Sequence, residues 1–281
     1  MITIQHPEQM QAKAIELRQK GKRLVLVPTM GFLHEGHLSL MRIARQRGDV
    51  IITSIFVNPS QFGPQEDLEA YPRDFEQDEG LCRSEGVDII FYPGTETMYL
   101  PDVSVYVDET LLSRGLCGLT RPTHFRGVLT IVAKLFNICL PHAAVFGEKD
   151  AQQLRLLRRM VRDLNFPVEM LSGPIVRESD GLAMSTRNKY LTDIERAEAL
   201  CLRHSLDLAE ECYAGGERDA STILDAMRGM ITGSSSGVID YLAAIDDENL
   251  ETIDTIDRPA LIALAVRFGK ARLLDNTVLG L

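Results

Sequence analysis

Two histidines three residues apart, His34 and His37, follow the turn Pro28-Thr29-Met30-Gly31-Phe32-Leu33 and stand in the run His34-Glu35-Gly36-His37. The turn lies between an apolar run, Leu24-Val25-Leu26-Val27, and a segment in which Leu40, Ile43 and Ala44 recur at helical spacing before Gly48. Four successive apolar residues ended by proline predict a buried strand of a parallel sheet, so the two imidazoles sit where a strand becomes a helix. In open α/β sheets ligands bind at the carboxyl ends of strands, and the first helical turn offers free N–H groups that favour phosphate. If the helix includes both histidines they share a face and address one anion, while Gly31 and Gly36 let the backbone come close to it. By residue type alone the pair also fits a structural role, or a metal site with a third ligand from elsewhere, although the sequence offers no HExxH.

Further groups of the same chemical kind lie at other predicted strand ends. Lys149 follows Gly147 and Glu148, where an ammonium can meet a phosphate as a point charge or simply pair with Asp150. Arg187, in Met184-Ser185-Thr186-Arg187, carries a fork that matches phosphate oxygens and can follow charge onto a departing pyrophosphate, with Ser185 as a hydroxyl donor; an ordinary interdomain turn is the alternative. Asn58 and Gln61 are uncharged, which suits them to bind a hydroxyl or to orient a carboxylate without dulling it as a nucleophile. The segments 28–37, 58–63, 147–153 and 176–187 are expected to reach one cleft.

His34-Glu35-Gly36-His37 resembles the HIGH signature of the adenylate-forming nucleotidyltransferases, and with Pro28-Thr29-Met30-Gly31 before it the stretch looks like the pantoate–β-alanine ligase family. Gly147-Glu148-Lys149-Asp150 with Gln152 and Gln153 resembles the same family, as does Met184-Ser185-Thr186-Arg187, its version of the KMSKS loop. The run from Arg121 through His124 to Gly127 matches too, except that Thr123 replaces a glycine, and Leu116-Cys117-Gly118 stands for Leu-Glu-Gly. That lost carboxylate would leave an arginine seeking another partner. The resemblance implies catalytic roles for His34, His37, Lys149, Ser185 and Arg187. It implies ATP contacts at Met30, Gly31, His34, His37, Gly147, Glu148, Lys149, Asp150, Val176, Met184, Ser185, Thr186 and Arg187, with the backbone of Val176 on the adenine. Pantoate falls to Gln61, Gln153 and Asn58, and β-alanine to Gln61. The implied reaction is ATP-dependent ligation of pantoate to β-alanine through a bound pantoyl adenylate, with release of AMP and pyrophosphate. Mg²⁺ is implied with the ATP phosphates, with no protein ligand assigned to it, and a homodimer is implied as the working form. A HIGH-type enzyme that transfers AMP or CMP to a phosphate, and a non-catalytic ATP-binding regulator, are the alternatives.

The elements that must carry these groups follow from the patterning. A helix is expected over 7–20, strands over 50–57, 87–93, 143–146 and 168–172, and helices over 74–84, 128–139 and 151–163. Such alternation predicts a parallel sheet, and with the resemblance a Rossmann-like domain over 1–177. The polar stretch Pro64 to Arg73 is a candidate lid. Val103, Val105 and Val107 alternate like a short exposed strand. Beyond about 178 two helical stretches, 193–214 and 219–232, and strands over 238–245, 260–267 and 271–275 describe a smaller α+β domain reaching residue 281.

With 281 residues, 45% of them hydrophobic, the chain can build two cores. A net charge of −10 and a pI near 5.2 argue against nucleic acid or an anionic membrane as the main partner. Cys82, Cys117, Cys139, Cys201 and Cys212 are scattered without CxxC spacing, which fits reduced thiols and a cytoplasmic setting. His6, His142 and His204 are expected to be structural or surface residues. No apolar run approaches the ~20 residues a membrane span needs.

Overall fold

The computed structural model describes residues 1–64 and 66–280, so Gln65 of the expected lid lies outside the described residues. The chain divides into two compact units. The first comprises residues 1–113, 121–148 and 153–174, and the second 114–120, 149–152 and 175–281.

The first unit is a six-stranded parallel sheet with helices on it. Its elements are β1 (Ile2–Ile4), α1 (Pro7–Gln19), β2 (Leu24–Thr29), α2 (Glu35–Arg47), β3 (Val50–Ile55), α3 (Phe75–Ser84), β4 (Ile89–Phe91) and α4 (Thr95–Met98). The short α5 (Cys117–Thr120) belongs to the second unit, after which the first continues through α6 (His124–Cys139) and β5 (Ala143–Gly147). Most of α7 (Ala151–Asp163) and β6 (Glu169–Gly173) complete it. The strand order is β1-β4-β3-β2-β5-β6. β2 opens on four successive apolar residues and β3 on three because both faces of a parallel sheet are covered, and β3 is buried at every position, Thr53 and Ser54 included. Alternate residues Val25, Val27, Ile51, Ile90, Ala143 and Val145 share one core with Leu38, Leu40, Met41 and Ala44 of α2.

This order reverses direction between β2 and β5, which is where such sheets open a crevice. The two strands are paired with Val25 beside Ala143 and Leu26 beside Ala144. Carried forward at that offset, the register brings Thr29 level with Gly147, so the histidine turn and the Gly147-Glu148 end share one rim.

The second unit is a three-stranded antiparallel sheet of β7 (Val238–Asp246), β8 (Ala260–Phe268) and β9 (Ala271–Leu279), preceded by α8 (Asp193–Glu198), α9 (Cys201–Ala214) and α10 (Ala220–Ser234). Ile262, Leu264 and Val266 face Leu202, Leu206, Ile223 and Met227 of the helices. Leu261 and Ala263, on the other face of β8, meet Leu116 and Ala151.

Four expectations change in detail. Ile2–Ile4 is a strand because it pairs with β4, Ile2 beside Ile89, although three mostly exposed residues carry no pattern of their own. Residues 103–107 form no strand: Val105 is 81% exposed, and the Val107 N–H donates to Thr130 Oγ1 at 3.0 Å instead of entering a ladder. The stretch 193–214 is two helices, the first closed early after a Thr192–Glu195 capping box. β9 continues past Asp275 to Leu279, since Asp275 and Asn276 are buried with partners, Arg177 and the Lys149 carbonyl.

Candidate active site

In the first unit, β2 ends in a turn that the backbone takes through the left-handed region twice, at Gly31 (φ +81°) and Phe32 (φ +52°). A non-glycine residue at such a φ persists only where its surroundings hold it. Here Asp78 of α3 does so: its carboxylate accepts from the N–H groups of Phe32 at 2.8 Å and Leu33 at 2.7 Å. Asp78 is 1% exposed. Burial pushes its carboxyl above the ordinary carboxylate range, against the pull of those two N–H donors. Thr29 adds a second tie, its hydroxyl donating to the Ser54 carbonyl at 2.7 Å.

His34 is the residue that caps α2. Its Nδ1 accepts from the Gly36 N–H at 3.2 Å, and the His37 Nδ1 accepts in turn from the His34 N–H at 3.3 Å. The rings lie 4.1 Å apart, centroid to centroid. A nitrogen that accepts carries no proton, so each neutral ring holds its proton on Nε2. The helix start therefore converts both histidines into Nε2–H donors, side by side at the N-terminus of a helix. This is a phosphate-recognising arrangement.

The loop after β3 holds the second group. Asn58 is 1% exposed and fully engaged: its amide nitrogen donates to Gln61 Oε1 (3.0 Å) and to the Gly127 carbonyl (3.1 Å), and its oxygen accepts from the Tyr99 hydroxyl (2.8 Å) and Ser60 Oγ (2.9 Å). These bonds orient the Gln61 amide so that its Nε2 faces the Met30 sulfur at 3.0 Å, which brings the loop to the histidine turn. α6 presses against this loop, and a Cβ on Gly127 would stand 2.3 Å from the Ser60 carbonyl oxygen. Arg121 and His124 then hold the Gln61 carbonyl, at 3.3 and 2.9 Å, and Arg121 forms a two-bond ion pair with Glu66 at 2.6 and 2.7 Å. Thr123 has φ −98°, so its position asks nothing that only glycine supplies.

At the other side of the crevice, Gly147 ends β5 and the Glu148 carboxylate accepts from the Ser172 hydroxyl at 2.9 Å. Gln153 lies in the first turn of α7, partly exposed.

In the second unit, Lys149 and Asp150 lie on a single 3₁₀ turn, and among the described residues no carboxylate pairs with the Lys149 ammonium. Gln152 is committed to structure, its amide bonded to the N–H of Cys117 and the carbonyl of Gly115. Met184 donates its N–H to the Val176 carbonyl at 2.9 Å, which sets the loop that follows. Ser185 caps the 3₁₀ helix Thr186–Tyr190, its oxygen accepting from the Arg187 N–H at 3.3 Å, so the hydroxyl proton stays available to donate. The arginine beside Cys117 is Arg272. It pairs with Asp240 at 2.6 Å and packs its guanidinium 3.5 Å from the Cys117 sulfur.

The expected site residues thus fall into a first-unit group, Met30, Gly31, His34, His37, Asn58, Gln61, Gly147, Glu148 and Gln153, and a second-unit group, Lys149, Asp150, Val176, Met184, Ser185, Thr186 and Arg187. Sequence reasoning passed over Asp78 and Tyr99, and it placed Glu66 only within the polar stretch of the candidate lid. Asp78 had a signal: it lies four residues before Cys82 on the inward stripe of α3, where an acid is rare unless partnered. His142 is structural, its Nδ1 accepting from the Leu24 N–H at 3.0 Å. Among the described residues no group of three or more His, Cys, Asp or Glu is placed to hold a metal ion, and no helix is long and apolar enough to cross a membrane.

Comparison with known proteins finds relatives that match over nearly the full length. The sequence model of the pantoate-beta-alanine ligase family matches residues 2–278. The chain is similar to the pantothenate synthetases of Thermotoga neapolitana, 56% identical with 100% of both chains covered, and of Fervidobacterium nodosum, 53% identical with 99% of both covered. Among solved structures it is similar to the pantothenate synthetase of Thermus thermophilus (TM-score 0.93, 41% identity, 99% of each chain). It is also similar to the pantoate-beta-alanine ligase of Francisella tularensis complexed with beta-gamma ATP and beta-alanine (TM-score 0.80, 31% identity, 99% and 97% of the chains). The chain belongs to the pantoate–β-alanine ligase family.

Proposed function

We propose that this chain is an ATP-dependent ligase that joins (R)-pantoate to β-alanine through a non-covalently bound pantoyl adenylate, releasing AMP and pyrophosphate on the way to coenzyme A precursors. The observation that carries this reading is the pair of imidazoles locked as Nε2–H donors at the start of α2. The pantoate carboxylate is already ionised at neutral pH and attacks the α-phosphorus, displacing pyrophosphate. The step needs positioning and charge neutralisation rather than a strong base, and the histidines supply donors aimed at oxygens on which charge grows. Met30 and Gly31 bring backbone to the nucleotide. Lys149, Ser185 and Arg187 serve the same step through the phosphates, with Gly147, Glu148, Asp150, Met184 and Thr186 beside them and the Val176 backbone on the adenine. Gln61 and Gln153 hold pantoate, and Gln61 also meets β-alanine. Asn58, with its own bonds taken, acts on pantoate by turning the Gln61 amide. In the second step the amine attacks the acyl carbon and AMP leaves.

Mg²⁺ accompanies ATP and neutralises phosphate charge. Such an ion is held mainly by the phosphates and water, with no protein ligand assigned to it. Residues 1–177 bind nucleotide and pantoate, 178–281 form the smaller part, and the stretch around Glu66 closes over the adenylate to keep water out. The working form is a cytoplasmic homodimer. Leu100, Val105 and Leu111 are exposed at 61, 81 and 67%, apolar side chains that a partner copy would cover.

The test is pyrophosphate release from ATP with pantoate alone, then AMP and a new amide after β-alanine is added. His37→Ala and Lys149→Ala should each slow adenylate formation about 10²-fold, as loss of a preorganised donor does. Near-normal single-turnover formation of pantoyl adenylate in both variants would remove their assigned roles.

A further inference from the structure

The histidines are not self-supporting. His34 and His37 bond to the backbone of their own helix start, and that start is aimed by residues 31–33, which run through two successive left-handed conformations. A non-glycine residue in that region, here Phe32, is strained and holds only when something outside the turn does the holding. Phe32 and Leu33 present their N–H groups in the same direction, and both end on one carboxylate that comes from 45 residues further along the chain. That carboxylate is buried, and it stands where a Cβ on residue 31 would be 2.9 Å from its Oδ2. Turn and carboxylate are therefore fitted to each other, glycine on one side and aspartate on the other.

We propose that Asp78 is a positioning residue for adenylation: by gripping the Phe32 and Leu33 amides it sets where His34 and His37 present their Nε2–H donors. Two features mark it as more than packing. A short apolar side chain would fill the same space without leaving a buried charge, so the carboxylate is present for the two N–H donors it accepts from. It also accepts at both oxygens, which an amide cannot reproduce. An asparagine would set an N–H against one of the two backbone N–H groups. The inference rests on the adenylation reading of the histidine turn. It adds a residue that touches neither ATP nor pantoate and acts through the backbone.

Asp78 also lines a cavity of about 360 Å³ bounded by Met30, Gly31, Phe56, Asp74 and Tyr92. Removing its side chain would open its place to a small carboxylate arriving through that cavity.

The experiment is single-turnover adenylate formation and ATP and pantoate binding in wild type, Asp78→Asn and Asp78→Ala, the last with and without formate. Asp78→Asn should lose about 10- to 100-fold in the rate of adenylate formation, the range for misplaced catalytic donors, while both substrates bind within about 3-fold of wild type. Formate should restore at least about 10-fold of the rate in Asp78→Ala and leave wild type unchanged. A wild-type rate in Asp78→Asn, a loss matched wholly by weaker substrate binding, or no formate effect would overturn the proposal. Should the variants not fold, amide hydrogen exchange in the wild type decides. Protection of Phe32 and Leu33 equal to that of β2 supports the grip, and loop-like exchange there refutes it. Absence of pantoate-dependent pyrophosphate release in wild type would instead overturn the adenylation reading, and the exchange result would still judge the grip.

Discussion

Two carboxylates of the first unit hold two loops of the site, and they do it in opposite ways. Asp78 is fully buried, meets only uncharged N–H donors, and is shifted upward by its burial. Glu66 keeps part of its surface in solvent and faces a cation. Its burial works against the charge, yet the Arg121 pair, the Gly63 N–H and the His124 field more than offset it, so its carboxyl lies below the ordinary range. A neutral-donor grip on a buried carboxylate is stiff, because loosening it strands a charge. An ion pair at the edge of solvent is a hold that water and salt can replace. On the proposed reading of the site, the first suits a turn whose geometry must be ready before ATP arrives, and the second suits a loop that would admit pantoate and then cover it.

The sharpest way to break this contrast is Gly31→Ala. The new Cβ meets the Asp78 oxygen at 2.9 Å and Ile55 Cγ2 at 3.0 Å, and the residue must also keep φ +81°. Neither neighbour can yield cheaply, since one is the grip itself and the other is a buried residue of β3. The turn shifts, and adenylation should fall by about 10³-fold, since misplacing reacting groups by about 1 Å already costs 10²-fold and both histidines move together. Rapid-quench measurement of pantoyl adenylate checks this. Activity within threefold of wild type would show that the turn is soft and remove the contrast.

That glycine also shows what could and could not be read from the residues alone. The central strands were legible because a buried parallel strand is apolar along its whole length, and the histidine pair because its position at a strand end has chemical meaning by itself. The edge strand Ile2–Ile4 was not, since its identity comes from β4 and not from its own pattern. The alternating valines 103, 105 and 107 misled for the same reason: alternation signals a strand only where a neighbour completes the ladder, and none of the described residues does. At the site, direct ligands announce themselves by type, whereas Asp78 and Tyr99 act on other residues and become visible only when α3 and α4 are packed against the strand ends. Asn58 shows the intermediate case. Its place in the loop was legible, and its saturation by Gln61, Gly127, Tyr99 and Ser60 was not.

Arg121→Ala addresses the other half of the comparison. It removes the Glu66 pair and one of the two donors on the Gln61 carbonyl, while His124 keeps the second. Pantoate should bind about 10-fold more weakly, in line with about 1–2 kcal/mol for a half-buried charged hydrogen bond, and ATP binding should stay within twofold. Calorimetric titration with each substrate separates the two. Equal weakening of both would mean that the loop and the turn form one rigid piece, and the division of labour proposed above would fall.

The smallest effect is the dependence on pH, and it carries the sign that distinguishes the two carboxylates. Because the folded value for Glu66 is lowered, its contribution to stability is complete above the ordinary glutamate value of 4.5 and is lost only as pH falls from there through the depressed value. Asp78 runs the other way: its folded value is raised, so the burial cost borne at neutral pH is relieved as acid protonates it, beginning above the ordinary aspartate value of 3.8. The stability gap between wild type and Glu66→Gln should therefore stay flat, at roughly 1 kcal/mol for a partly exposed pair, from pH 7 down to about 4.5, and close below that. The gap between wild type and Asp78→Asn should move the opposite way, in wild type's favour, as pH falls and the buried carboxylate takes up its proton. Urea unfolding at half-unit steps of pH resolves the two. Gaps that change in the same direction would mean that both carboxylates sense one environment, and that the stiff grip and the releasable one are physically the same.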